Sequence, residues 1–72
     1  MHIVINGQGR EIAELSPLAT VADLIAVLTL KGDRVAIEQN GAIVTRDGWA
    51  AAAIHEGDRF EIVHFVGGGV SQ

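Results

Sequence analysis

A chain of 72 residues has room for one domain and one core, and a chain this short buries only about 60% of the surface its unfolded form exposes. Apolar residues make up 49% of it, cysteine is absent and the formal net charge is -4. Disulfides, thiolate metal sites and thiol chemistry of its own are thereby excluded, and the acidic balance argues against nucleic acid or an anionic membrane, both of which need basic patches.

The N-terminal run Met1 to Ile5 alternates as a strand, with Met1, Ile3 and Ile5 on one face. It opens directly, with no basic region and cleavage site, and no apolar run in the chain approaches the ~20 residues of a spanning helix. The expectation is a soluble cytoplasmic protein. Asn6-Gly7-Gln8-Gly9 is a turn signal, since Asn and Gly both tolerate positive φ. Arg10 to Leu15 reads as the returning strand, with Ile12 inward.

Ser16-Pro17 breaks that strand. Thr20 then reads as an N-cap, with Asp23 at the third helical position favouring the positive helix end. Val21, Leu24, Ile25 and Leu28 recur at helical spacing, and Gly32 is the expected C′ residue. Arg34 to Gln39 is the next strand, Asn40-Gly41 a second turn, and Ala42-Ile43-Val44 a short strand. Thr45 is read as the cap of a short helical turn reaching Trp49, which closes the edge of the core. Ala50 to Ala53 fits helix and coil equally. Glu56-Gly57-Asp58 is a tight turn. Arg59 to Val66, apolar on both faces and without Gly or Pro, has the pattern of a strand in the middle of a sheet.

The order β-β-α-β-β-β, with an N-terminal hairpin, a crossover helix and a final central strand, predicts an α+β fold of the ubiquitin-like β-grasp type. Its mixed sheet has four to five strands, with one main helix packed on one face. The first and last strands should lie side by side and parallel. The predicted core is Met1, Ile3, Ile5, Ile12, Leu24, Ile25, Leu28, Val35, Ile37, Phe60 and Ile62. Residues 1–66 form the domain, and residues 67–72 a flexible tail. Gly67, Gly68 and Gly69 have no side chains to pack and the largest backbone entropy to lose. A tail so thin can enter a narrow active site where a bulkier chain would collide.

In order and spacing the chain resembles the ThiS family, the sulfur carrier proteins of thiamin thiazole biosynthesis. The resemblance rests on Ile3-Val4-Ile5-Asn6-Gly7, Thr20-Val21-Ala22-Asp23-Leu24-Ile25, Val35-Ala36-Ile37-Glu38-Gln39-Asn40-Gly41, Ile43-Val44-Thr45-Arg46 up to Trp49, Glu56-Gly57-Asp58, and the ending Glu61-Ile62-Val63-His64-Phe65-Val66-Gly67-Gly68-Gly69. It implies a carrier and not an enzyme. Gly69 would bear sulfur as a thiocarboxylate, with Gly67 and Gly68 supplying reach, the three glycines together spanning ~10 Å when extended. An adenylating activating enzyme would consume ATP to activate the glycine, a persulfide donor would supply the sulfur, and thiazole synthase would receive it. The carrier would bind no cofactor itself and would be a monomer alone.

The chain continues past Gly69 with Val70-Ser71-Gln72, so Gly69 has a peptide carbonyl until those residues are removed. A trimming peptidase is the expected further partner. The alternatives are a carrier for molybdopterin synthase, a protein-conjugating modifier, and a β-grasp interaction module that carries no sulfur. The molybdopterin family tends to have a Pro-Pro pair before its terminus, where this chain has His64-Phe65-Val66.

Two further readings concern side chains. If Phe60 and Ile62 face the helix, Glu61, Val63, Phe65 and Val66 form a docking surface beside the tail, on a sheet face with no second helix to cover it. His2, His55 and His64 match no zinc spacing and read as surface residues, with His2 and His64 expected near each other if the end strands pair. The acidic residues are scattered and read as solvated surface.

Overall fold

Two Asn-Gly turns set the register of the sheet in this computed structural model, which describes residues 1–65. The expected boundary between domain and tail falls in Val66–Gln72, outside the described residues. Asn6 and Gly7 take φ of 49° and 82°, the geometry of a two-residue hairpin whose twist matches its strands. β1 (His2–Ile5) therefore turns at once into β2 (Gln8–Glu11), with His2 opposite Glu11 and Ile5 opposite Gln8. The return strand predicted over residues 10–15 is thus displaced. The turn uses only two residues, so pairing starts at Gln8, and Ile12 and Leu15 are buried from the irregular stretch that follows.

Thr20 caps α1 (Val21–Val27) as expected. Its hydroxyl accepts from the Asp23 N–H while the Asp23 carboxylate accepts from the Thr20 N–H at 2.9 Å, a reciprocal capping box. The helix ends before Gly32. Thr29 takes the left-handed conformation at φ 54°, its N–H donates to the Ala26 carbonyl, and the Leu30 N–H donates to the Ile25 carbonyl. These two bonds are a Schellman closure built on threonine. Gly32 instead opens a 3-10 turn (Gly32–Arg34), where a Cβ would stand 3.1 Å from the Trp49 ring.

β3 (Val35–Gln39) and β4 (Ala42–Val44) pair across the second turn, with Asn40 and Gly41 at φ 52° and 88°. The helical turn expected to reach Trp49 is a 3-10 helix over Arg46–Ala51. The Thr45 hydroxyl donates to the Asp47 carboxylate at 2.7 Å and accepts no backbone N–H there. The ambiguous alanines divide: Ala50 and Ala51 complete the 3-10 helix, and Ala53 bridges to Thr20. β5 (Arg59–His64) follows the turn at Gly57.

The strand order is β2-β1-β5-β3-β4, with β5 central, parallel to β1 and antiparallel to β3. This is the ubiquitin-like β-grasp fold, a mixed five-stranded sheet with α1 over one face. Ile3, Ile5, Val35, Ile37, Phe60 and Ile62 meet Val21, Leu24 and Ile25 of the helix in one core. Trp49 closes its edge, 7% exposed, with its indole N–H donating to the Val44 carbonyl at 2.9 Å. Met1 and Leu28, placed in the core by sequence, are only partly buried, while Leu15, Ala19 and Ile54 enter it from connecting segments. No helix among the described residues is long and apolar enough to cross a membrane.

Candidate functional site

The site is built around the end of β5, the strand that leads into the glycines. β1 pairs with β5 only at Val4–Arg59 and Ile5–Phe60 before the chain turns away. The Asn6 side chain then takes the place of the missing strand. Its Oδ1 accepts from the Ile62 N–H at 2.8 Å, and its Nδ2 donates to the Ile62 carbonyl at 3.2 Å. Both backbone groups of Ile62 are satisfied by one amide, which explains why asparagine stands at a turn that other residue types with positive φ could also make.

A second asparagine fixes the start of β5. The Asn40 side-chain oxygen accepts from the Arg59 N–H at 2.9 Å, and its Nδ2 donates to Asp58 at 3.0 Å. Asp58 also accepts from Gln39 at 3.0 Å and from the His55 backbone at 2.8 Å. Partial burial alone would raise this carboxyl, but the bonds from Asn40, the His55 backbone and Gln39, with the nearby His55 ring, hold it below the usual carboxylate value. Asp58 is therefore a structural hub, where sequence reading placed it on a solvated surface. At the far end, the Phe65 N–H donates to the Arg34 carbonyl at 2.7 Å, so β5 is held on its β3 side up to the last described residue.

Alternation along β5 buries Phe60 and Ile62 and exposes Glu61 and Val63 on the face away from α1. Val63 is 56% exposed and Phe65 44%. Three of the four residues read as a docking surface, Glu61, Val63 and Phe65, are thus exposed. The fourth, Val66, lies with Gly67, Gly68 and Gly69 outside the described residues. Ile43 on β4, 74% exposed, joins the same face. Sequence reading did not single it out, although its position two residues after an Asn-Gly turn, which sets it opposite Glu38, was the available signal.

The histidines do not converge. β1 and β5 run parallel, with the His2 carbonyl accepting from the Gly57 N–H ahead of β5, while His64 ends that strand opposite Val35. The exposed His55 ring lies 3.9 Å from the largely covered Asp58 carboxylate. No three His, Asp or Glu side chains among the described residues gather as metal ligands.

Comparison with known proteins gives a consistent result. Residues 3–69 match the sequence profile of the ThiS family. The chain is 40% identical over 72 residues to a thiazole synthase of Paramagnetospirillum magneticum, covering all of this chain and 21% of that protein. It is 38% identical over 69 residues to a thiazole synthase of Magnetococcus marinus, covering 96% and 20%. The chain therefore spans about a fifth of the length of these two relatives. Against the sulfur carrier protein ThiS of Bacillus subtilis it is 33% identical over 61 residues, covering 85% of this chain and 92% of that one. The crystal structure of the thiamine biosynthesis protein ThiS from Geobacter metallireducens superposes with a TM-score of 0.80 at 27% identity, covering 96% of this chain and all of that one. With its β-grasp fold and a match that runs through Gly69, this chain belongs to the ThiS family.

Proposed function

We propose that the chain is a sulfur carrier for thiazole formation in thiamin biosynthesis, acted on by partner enzymes and not itself catalytic. The observation that carries this reading is the family match extending through Gly69. The destination of the sulfur is supported by the relatives named thiazole synthase, within which a segment like this chain makes up about a fifth of the length.

The chemistry begins at a free Gly69 carboxylate, which requires cleavage of the bond to Val70 by a peptidase. An activating enzyme joins that carboxylate to the α-phosphorus of ATP and releases pyrophosphate. The terminal sulfur of a persulfide attacks the acyl carbon and expels AMP, and a thiol then cleaves the resulting acyl disulfide. The products are a thiocarboxylate on Gly69 and a disulfide of the two thiols. Sulfide remains tethered throughout. Gly67 and Gly68 let the end enter the partners' active sites, while Glu61, Val63, Phe65 and Val66 dock the domain beside them.

Intact mass of the protein from its own cells, before and after incubation with activating enzyme, ATP and a sulfur donor, tests the reading. The expected result is loss of Val70-Ser71-Gln72 followed by the mass change of one oxygen exchanged for sulfur at Gly69. A full-length mass that never changes would leave a β-grasp binding module in its place.

A further inference from the structure

The face of the sheet away from α1 carries an arrangement that folding does not require. Glu38 on β3 and Glu61 on β5 are direct cross-strand partners. Residues so opposed have Cβ atoms about 5 Å apart, and like charges in that position are destabilising. Neither carboxylate has a cation within 4 Å among the described residues. Arg59, two residues before Glu61 on the same face, lines a depression with both and comes within 4 Å of neither carboxylate. Ile43 on β4 is in register with Glu38, and Val63 is the next outward residue along β5. These two exposed apolar side chains and both glutamates line a shallow depression of about 240 Å³ floored by Ala36.

We propose that this depression receives an arginine of the thiazole synthase to which the carrier delivers sulfur, its guanidinium between the Glu38 and Glu61 carboxylates and its apolar neighbours against Ile43 and Val63. A planar fork with five donors can bond two carboxylates at once, which a lysine ammonium does less well. Docking relieves the repulsion between the glutamates, and the apolar side chains shield the contact from water. Charge disfavours a second copy of this chain as the occupant, because each copy carries -4 and a two-fold contact would set like faces together. The proposal rests on the carrier reading for the partner's identity, and extends its docking surface from the end of β5 across β3 to β4.

The test titrates purified thiazole synthase with the full 72-residue chain and with E38Q, E61Q and the double variant, recording melting temperatures on the same samples. The double variant should melt about 1–5 °C higher and bind about tenfold or more weakly. Its affinity should also depend less on salt than that of the unaltered chain. A higher melting temperature with unchanged Kd would overturn the proposal, since the pair would then be idle repulsion. A lowered melting temperature would overturn it by making the glutamates structural, as would failure of the unaltered chain to bind the synthase. Loading of Gly69 in the otherwise unaltered chain after removal of Val70-Ser71-Gln72, read by mass, separates the two readings. If Gly69 loads while the variants bind normally, only this proposal falls; if Gly69 never loads, the carrier reading falls with it.

Discussion

The two faces of β5 are one residue apart in sequence and opposite in their duties. Phe60 and Ile62 are 1% and 6% exposed beneath α1, whereas Val63 and Phe65 are 56% and 44% exposed on the other side. All four are apolar, so composition alone does not tell them apart. The first pair is fixed by packing, because one helix and its connections supply a close-fitting lid. The second pair has no lid among the described residues, and its apolar character contributes little to the fold. In a small domain with one helix, apolar side chains in excess of what that helix can cover mark the surface available for recognition.

That contrast can be broken from either side. Phe60→Ala should cost about 3–5 kcal/mol in chemical denaturation, enough to leave a domain of this size largely unfolded. Asn6→Ala should cost about 1–3 kcal/mol, because both backbone groups of Ile62 lose their partner. Hydrogen exchange of the Ile62 amide should accelerate more than that of Ile3, which would localise the loss to the end of β5. Asp58→Asn should cost about 1–2 kcal/mol at neutral pH. The Asp58 carboxyl is lowered in the folded state, so its contribution is complete above the ordinary carboxylate value of about 3.9. It is lost as the pH falls through the lower folded value. The variant should accordingly show a shallower acid limb in a plot of stability against pH. Phe65→Asp should change stability least, by under about 0.5 kcal/mol, while weakening association with activating enzyme and synthase. A domain that unfolds on this change would assign Phe65 to the core and remove the distinction between the faces.

The sequence made one face of this comparison plain and left the other partly hidden. Period-two alternation in β1, β3 and β5 identified the buried positions, and Thr20 with Asp23 marked the helix start through a local hydrogen-bond pattern. The helix end was less legible. A glycine three residues after Thr29 is a stronger signal than a threonine in the left-handed region, yet Thr29 closes the helix and Gly32 makes room for Trp49. Leu15, Ala19 and Ile54 are buried from irregular backbone, where no period exists to detect. The opposition of Glu38 and Glu61 is a property of register between strands more than 20 residues apart in sequence, and spacing along the chain does not encode it. The hub at Asp58 was hidden for the same reason, since its partners come from β3, the second Asn-Gly turn and the segment before β5.

The Asn6 amide also bears on how this protein ages. An asparagine followed by glycine is the sequence most open to loss of its side-chain amide, because the next backbone nitrogen can reach the carbonyl carbon with little hindrance. Here both ends of that amide are engaged by Ile62, so a rotation that brings its carbon to the Gly7 nitrogen must first break those two bonds. Once converted to aspartate, the side chain retains an acceptor for the Ile62 N–H but offers a second oxygen where the Ile62 carbonyl needs a donor. Loss of the amide at Asn6 would thus weaken the hold on the strand that leads to the glycines.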